Sequence, residues 1–337
     1  MLRVGVIGYG YWGPNLVRNF HEARGCQVRM VCDLSADRLA QVKARYPAVQ
    51  VTRRCEELLN SPELDAVAVA TPVSTHFPLA SAALQAGKHV LVEKPLADSS
   101  AHCRRLMDLA ERKRRLLMVD HTFPYTGAVM KIKELIDSGA LGRIYYYDST
   151  RINLGLFQHD VSVIWDLAVH DLAICDFLLK EKPVAVSATG TAHVPNQPPN
   201  VAYLTLFFPN NIIGHINVNW LAPVKIRQTL ISGSEKMVVY DDNQPTEKVK
   251  VYDKGITVKP SPENIYRLRV SYRAGDMLAP QVDGTEALRR LTEDFAECVE
   301  TGRRPRTDAE SGLRVVRVLE AATRSLNARG RLVHIRP

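Results

Sequence analysis

In 337 residues the chain has no apolar run approaching the roughly 20 that a membrane-spanning helix needs. It shows no internal repeat and no low-complexity stretch. Six cysteines, Cys26, Cys32, Cys55, Cys103, Cys175 and Cys298, stand without CxxC or CxxH spacing. That argues against a metal site and against a redox dithiol, and leaves most of them as small core residues. The strand signal begins at Leu2 with no charged region, apolar core or cleavage site before it, so no signal peptide is expected and the cytoplasm is the default compartment. The densest basic cluster, Arg112-Lys113-Arg114-Arg115, has no interleaved aromatics and belongs to no recognisable nucleic-acid module. It falls in the last turn of an expected helix, where cations complement the dipole.

What is present is ordinary in bulk, with 46% hydrophobic and 24% charged residues, as in a soluble globular protein. The length exceeds the usual single core, so two domains are expected, residues 1–121 and 122–337. A net charge of +8 suits nucleic acid or a di-anionic small molecule such as a nucleotide sugar, and only the first would need a module that is missing.

Arg3-Val4-Gly5-Val6-Ile7 reads as a strand running into Gly8-Tyr9-Gly10-Tyr11-Trp12-Gly13, and Pro14 stands where the first helical turn tolerates it. This is GxGxxG between strand and helix. The first glycine makes the tight turn, the second admits a pyrophosphate to the backbone, and the third lets helix pack on strand. Amide groups at the helix start receive the phosphates. The next strand, Gln27 to Cys32, ends in Asp33, 20 residues beyond Gly13, where an acidic residue accepts hydrogen bonds from the adenosine ribose of NAD. Asp33 also reads as a cap for the helix beginning near Ser35, although Ser35 can serve as cap itself. A carboxylate here repels a 2′-phosphate and favours NAD over NADP, while Arg38 weighs the other way.

Alternation continues with a helix from Ala36 to Tyr46, a short strand from Val49 to Thr52, and the strand Asp65 to Ala70 ending in Thr71-Pro72. A helix from Thr75 to Ala86 leads to Lys88-His89-Val90-Leu91-Val92-Glu93-Lys94-Pro95, a strand buried on both faces that ends in a charge pair. A helix capped by Asp98 and the strand Arg115 to Val119 complete six β segments separated mostly by helices, a doubly wound parallel sheet. Open sheets of this kind bind ligands at the carboxyl ends of their strands, where Glu93 and Lys94 emerge. Pro95 restricts Lys94 and aims its ammonium, or the pair is an ordinary solvated strand end. His76 follows Thr71-Pro72 at the crevice, as a nicotinamide neighbour or as polar helix-start chemistry.

Beyond residue 121 the rhythm changes. One helix is expected from Pro124 to Ser138, then strands at Arg143 to Ile152, Ala185 to Ala192, Ala202 to Phe208, Ile212 to Asn219, Ile226 to Ser232, Met237 to Tyr240 and Val249 to Tyr252. Turns such as Pro209-Asn210-Asn211 and Asp241-Asp242-Asn243 separate several of them. This predicts an α+β domain on a large, mainly antiparallel open sheet, whose outer face packs on a second subunit in a homo-oligomer. Two helices, Thr285 to Thr301 and Ala309 to Ala328, close the chain.

Between the first two strands of this domain, Asp166 and His170 stand four apart with apolar flanks, on one face of a helix. A carboxylate beside a histidine holds its tautomer and raises its basicity, which prepares a general base. A helix cap beside a satisfied core histidine is the alternative. Together with Lys94 and the glycine-rich turn, the pair forms a coherent set for alcohol oxidation.

At these residues the chain resembles the glucose-fructose oxidoreductase/inositol dehydrogenase (Gfo/Idh/MocA) family along nearly its whole length. Gly8 to Gly13, Thr71-Pro72 with His76, Glu93-Lys94-Pro95, and Asp166 with His170 stand in the family's order and spacing. The resemblance implies a Rossmann-type nucleotide-binding domain, a catalytic set of Lys94, Asp166 and His170, and a cis Lys94–Pro95 bond. It implies NAD held by Gly8, Gly10, Tyr11, Trp12, Gly13, Asp33, Arg38, Thr71, Pro72, His76, Glu93, Lys94 and His121, and no metal. One departure is Ala168 and Ala173 where the family often has glycine and a further acid; Asp171 faces another side of the helix and does not substitute. The motif flanks are similar to the branch that acts on nucleotide sugars, notably UDP-N-acetylglucosamine 3-dehydrogenases feeding an aminotransferase. An inositol or free-sugar dehydrogenase, and a dinucleotide sensor without turnover, are the alternatives.

Overall fold

The computed structural model describes residues 1–155, 161–259 and 269–336. Two compact units divide the chain, Met1–Thr126 with Thr285–Glu320 and Gly127–Gly284 with Ala321–Pro337.

In the first unit β1 (Leu2–Ile7), α1 (Gly13–Glu22), β2 (Cys26–Cys32), α2 (Ala36–Arg45), β3 (Gln50–Thr52), α3 (Cys55–Leu59), β4 (Ala66–Val69), α4 (His76–Gln85), β5 (His89–Glu93), α5 (Ser100–Lys113) and β6 (Leu117–Asp120) alternate. The strands pair in parallel in the order β3-β2-β1-β4-β5-β6, so the winding reverses between β1 and β4. A sheet covered by helices on both faces demands strands apolar on both faces, and every residue of β4 is buried. Helix α1 turns Leu16, Val17 and Phe20 inward, and Phe20 meets Phe295 edge to face with ring centroids 6.0 Å apart. Two details differ from the sequence reading. Helix α3 is too short to leave a periodic signal, and α5 is capped by Ser99, whose hydroxyl accepts the His102 N–H at 3.3 Å, while the expected cap Asp98 bonds the His102 ring.

The second unit contains α6 (Gly127–Asp137), β7 (Ile144–Leu154), a π-helical turn at Ile164–Ala168 leading into α7 (Val169–Leu178), β8 (Ala185–Thr191), β9 (Val201–Phe207), β10 (Ile213–Asn219), β11 (Leu221–Gly233), β12 (Met237–Asp241), β13 (Val249–Tyr252), β14 (Gly255–Lys259), β15 (Arg269–Arg273) and β16 (Met277–Leu278). After it come α8 (Ala287–Thr301), which carries Phe295 and belongs to the first unit, α9 (Ala309–Asn327) and β17 (Val333–His334). Among the described residues nine strands form one sheet, in the order β16-β13-β12-β11-β7-β10-β9-β8-β17. Its pairs are antiparallel except β7 with β10. Period-two alternation buries Ala202, Leu204, Leu206, Ile216 and Val218 on one face and leaves Tyr203, Phe207 and Ile213 exposed on the other. Helix α6 starts later than expected because Thr126 is extended, and a Cβ on Gly127 would fall 2.0 Å from the Asp283 carbonyl oxygen. No helix of the described residues is long and apolar enough to cross a membrane.

Candidate active site

The three glycines of the first turn differ in what they exclude. Gly8 has φ +97°, and a Cβ there would sit 2.4 Å from the Ala70 carbonyl oxygen; one on Gly13 would sit 2.1 Å from the Gly8 carbonyl oxygen. At Gly10 the nearest atom to a Cβ is Arg38 Nη1 at 3.7 Å, an ordinary contact, so nothing in the protein itself requires glycine there. An open approach to the backbone, with the start of α1 beside it, fits the pyrophosphate of a dinucleotide. Tyr11 is exposed at this turn, and Trp12 Nε1 donates to Asp120 Oδ2 at 3.1 Å, tying the turn to the end of β6.

Asp33 is buried at the end of β2, where it accepts the Tyr9 N–H at 2.7 Å and the Ser35 N–H at 2.8 Å, with Arg38 Nη1 at 3.6 Å. Ser35 takes the role of helix cap, accepting the Arg38 N–H at 3.4 Å. The carboxylate therefore braces the glycine turn from the position where an adenosine ribose is read. These residues fit NAD.

At the carboxyl ends of β4 and β5, His76 is buried with Nε2 2.8 Å from the Thr71 carbonyl and Nδ1 2.8 Å from the Pro95 carbonyl. Burial pushes its pKa down while the two carbonyls oppose that shift, and a neutral ring can donate to only one of them. Pro72 begins the turn that delivers His76 to this position. The imidazole works as a clasp between Thr71 and Pro95, the residue after Lys94, and the Lys94–Pro95 bond is cis. Glu93 and Asp120 are register partners on β5 and β6, so their carboxyls act on each other's charge. Burial first, then the Asp120 charge, raises Glu93 well above the usual carboxylate range; Asp120 is raised by burial, against hydrogen bonds from Trp12 and from Thr122 at 2.8 Å. The Lys94 ammonium is close enough to act on the charge of both and on His76. His121, the next residue after Asp120, is buried as well.

In the second unit Asp166 lies in the π-helical turn and His170 in the first turn of α7. π-turns inside helices recur at functional sites. Asp166 Oδ2 accepts the Trp220 indole N–H at 3.1 Å, and Trp220 is almost wholly buried. Sequence reading missed Trp220; its one signal was a tryptophan just past the end of an expected strand, whose N–H needs an acceptor once buried. The same indole explains Gly155, where a Cβ would fall 2.5 Å from Trp220 Cδ1. Asp171 points to the sheet, as its helical position dictates, and accepts from Arg151 Nε at 2.9 Å, Arg151 Nη2 at 3.1 Å and Ser149 Oγ at 2.8 Å. Ala168 and Ala173 are buried apolar contacts. Among the described residues no cluster of three metal-ligating side chains occurs.

Comparison with known proteins bears on the fold and the family. Residues 2–121 match the oxidoreductase family with NAD-binding Rossmann fold, and residues 129–239 match the GFO/IDH/MocA C-terminal domain. The UDP-N-acetylglucosamine 3-dehydrogenase of Acidithiobacillus ferrooxidans is 28% identical over 323 residues, 94% of each chain. Its solved structure, named GnnA, superposes with a TM-score of 0.82 at 25% identity, covering 97% of this chain and 98% of that one. Inositol 2-dehydrogenase 2 of Saccharopolyspora erythraea is 34% identical over 200 residues, 58% of each chain. The chain spans about half the length of several curated relatives, including 42% of the uncharacterised oxidoreductase YdgJ of Escherichia coli, with 37% identity over 150 residues and 44% of this chain. The chain is a member of the GFO/IDH/MocA oxidoreductase family, and its first unit carries the family's NAD-binding Rossmann fold.

Proposed function

We propose that the protein is an NAD-dependent dehydrogenase of a sugar secondary hydroxyl, acting on C3 of a nucleotide sugar such as UDP-N-acetylglucosamine and yielding the 3-keto sugar. The similarity to a UDP-N-acetylglucosamine 3-dehydrogenase over 94% of both chains carries this reading. A net charge of +8 suits a substrate with a pyrophosphate. Held at the Gly8–Gly13 turn and beside Asp33, NAD would supply the hydride acceptor. His170 takes the hydroxyl proton, Asp166 orients its imidazole, and Lys94 hydrogen-bonds the substrate oxygen and stabilises the alkoxide as it develops. A second division of labour makes Lys94 the base. In reverse the same groups reduce a ketone, and an aminotransferase that consumes the 3-keto sugar would draw the reaction forward. The exposed face bearing Tyr203, Phe207 and Ile213 is proposed to pack on a second copy of the chain.

The 34% identity to an inositol 2-dehydrogenase supports a second reading, oxidation of inositol or a free sugar. A single-turnover assay with UDP-N-acetylglucosamine deuterated at C3 separates them. Deuterium is expected on the nicotinamide, and His170→Asn is expected to abolish transfer while the sugar still binds. Transfer from myo-inositol or free glucose and from no UDP-sugar would overturn the first reading. No transfer from any sugar would favour a sensor.

A further inference from the structure

Cys32 ends β2 and Cys55 opens α3, and their sulfurs lie 3.4 Å apart. Cys32 is buried and Cys55 partly exposed. The two thiols are unequal in their surroundings: their mutual hydrogen bond lowers the partly exposed Cys55, and the same bond together with burial pushes Cys32 up. Elsewhere burial pushes thiols the other way, Cys26 and Cys298 to about 11 and Cys103 to about 12, with Cys175 raised too. The thiolate is the reactive form, so Cys55 stands apart as the reachable nucleophile.

The pair adjoins two residues of the proposed dinucleotide site, Gly8 and Asp33. The Cys32 carbonyl accepts the Gly8 N–H at 2.8 Å, and the next residue is Asp33, whose own N–H bonds the Thr52 carbonyl at 3.2 Å. On the other side Cys55 is anchored by a bonded turn, in which Thr52 Oγ1 accepts the Arg54 N–H at 3.1 Å and donates to Glu57. A disulfide between them would tie the end of β2 to the start of α3 covalently. Gly8 and Asp33 are bonded to the segments so tied.

We propose that Cys32 and Cys55 form an oxidation-sensitive dithiol, which a hydroperoxide converts to a disulfide that weakens NAD binding. The Cys55 thiolate attacks the peroxide oxygen, giving a sulfenic acid and, after protonation of the leaving oxygen, water or an alcohol. The Cys32 sulfur then displaces the sulfenic hydroxyl, which leaves as water with the Cys32 proton. Two thiols are oxidised by two electrons and one peroxide O–O bond is reduced.

The test treats the reduced full-length protein with a small excess of hydrogen peroxide, followed by peptide mass spectrometry and NAD titration. The expected result is a Cys32–Cys55 linked peptide, a rise in the NAD Kd of roughly fivefold or more, and recovery with dithiothreitol. Cys55→Ser is expected to bind NAD as the reduced protein does and to ignore peroxide. Oxidation of Cys55 without the link, a linked protein whose Kd shifts by less than about fivefold, or equal peroxide sensitivity in Cys55→Ser would each overturn the proposal.

Discussion

Trp220 donates its indole N–H to Asp166 Oδ2 from a site 1% exposed to solvent. A buried indole N–H needs its acceptor, so the bond fixes one oxygen of the carboxylate proposed to orient His170. On that proposal Trp220 acts through Asp166, as a positioning residue.

Trp220→Phe keeps an aromatic ring, smaller than the indole, and removes the donor. Turnover is expected to fall roughly tenfold with KM and NAD affinity little changed, because misorientation of a proton acceptor raises the barrier and leaves binding alone. Steady-state kinetics on the sugar identified by label transfer, with a deuterium isotope effect, checks this. An unchanged kcat with a lowered Tm would make the bond purely structural. If Asp166→Asn also leaves kcat unchanged, the catalytic assignment itself fails.

Arg151 and Asp171 form a buried ion pair, with side chains 4% and 1% exposed. Removing one partner from such a pair typically costs about 3–5 kcal/mol, because the other charge stays buried and unpaired. Arg151→Met is therefore expected to destabilise the protein by about that much in chemical denaturation, and Arg151→Met with Asp171→Leu to recover a large part of it. A double variant no more stable than the single would show that the pair's hydrogen bonds, Ser149 included, matter more than its charges.

The parallel sheet was legible because its strands announce themselves twice, in apolar runs and in the glycines, proline and acid at their carboxyl ends. The same signals led to Asp33 and to the Glu93–Lys94 strand end, since local chemistry there follows chain order. What was not legible depends on distant residues meeting. Trp220 meets Asp166 across 54 residues, and Cys32 meets Cys55 across 23, so a rule based on CxxC spacing argued against a dithiol that the fold brings together. Helix α8 carries an apolar stripe that predicts burial but not against what, and only the fold lays Phe295 on Phe20. Helix α3 and the Ser99 cap lie below the resolution of periodicity, since one turn of helix or one of two adjacent polar residues decides them.

The glycines of the dinucleotide turn should separate folding from binding. Gly8→Ala and Gly13→Ala place a Cβ 2.4 Å and 2.1 Å from backbone oxygens, so both are expected to lower Tm as well as lose NAD. Gly10→Ala meets only the flexible end of Arg38 and is expected to leave Tm nearly unchanged while NAD affinity falls. Thermal unfolding and NAD titration of the three variants checks this. A Gly10→Ala protein that binds NAD normally would mean that the pyrophosphate does not approach Gly10.

The last prediction concerns the proton shared at the ends of β5 and β6. In the folded protein Glu93 is raised well above 4.5 by burial and by the Asp120 charge, with Lys94 only partly offsetting them. The folded state therefore binds this proton more tightly than the unfolded chain does, so stability falls as pH rises from the unfolded value through the folded one. Glu93→Gln preserves the shape and still has an N–H to offer Asp120, but has no proton to lose. The Tm of the variant relative to the parent is expected to increase steadily as the pH is raised from about 5 toward 8, with Asp120 present in both proteins and contributing the same sign. Measuring both proteins without NAD isolates the effect from the cofactor. A Tm difference that stays flat with pH would show that Glu93 does not carry the proton between the two carboxyls, and a difference that shrinks with rising pH would reverse the sign of its shift.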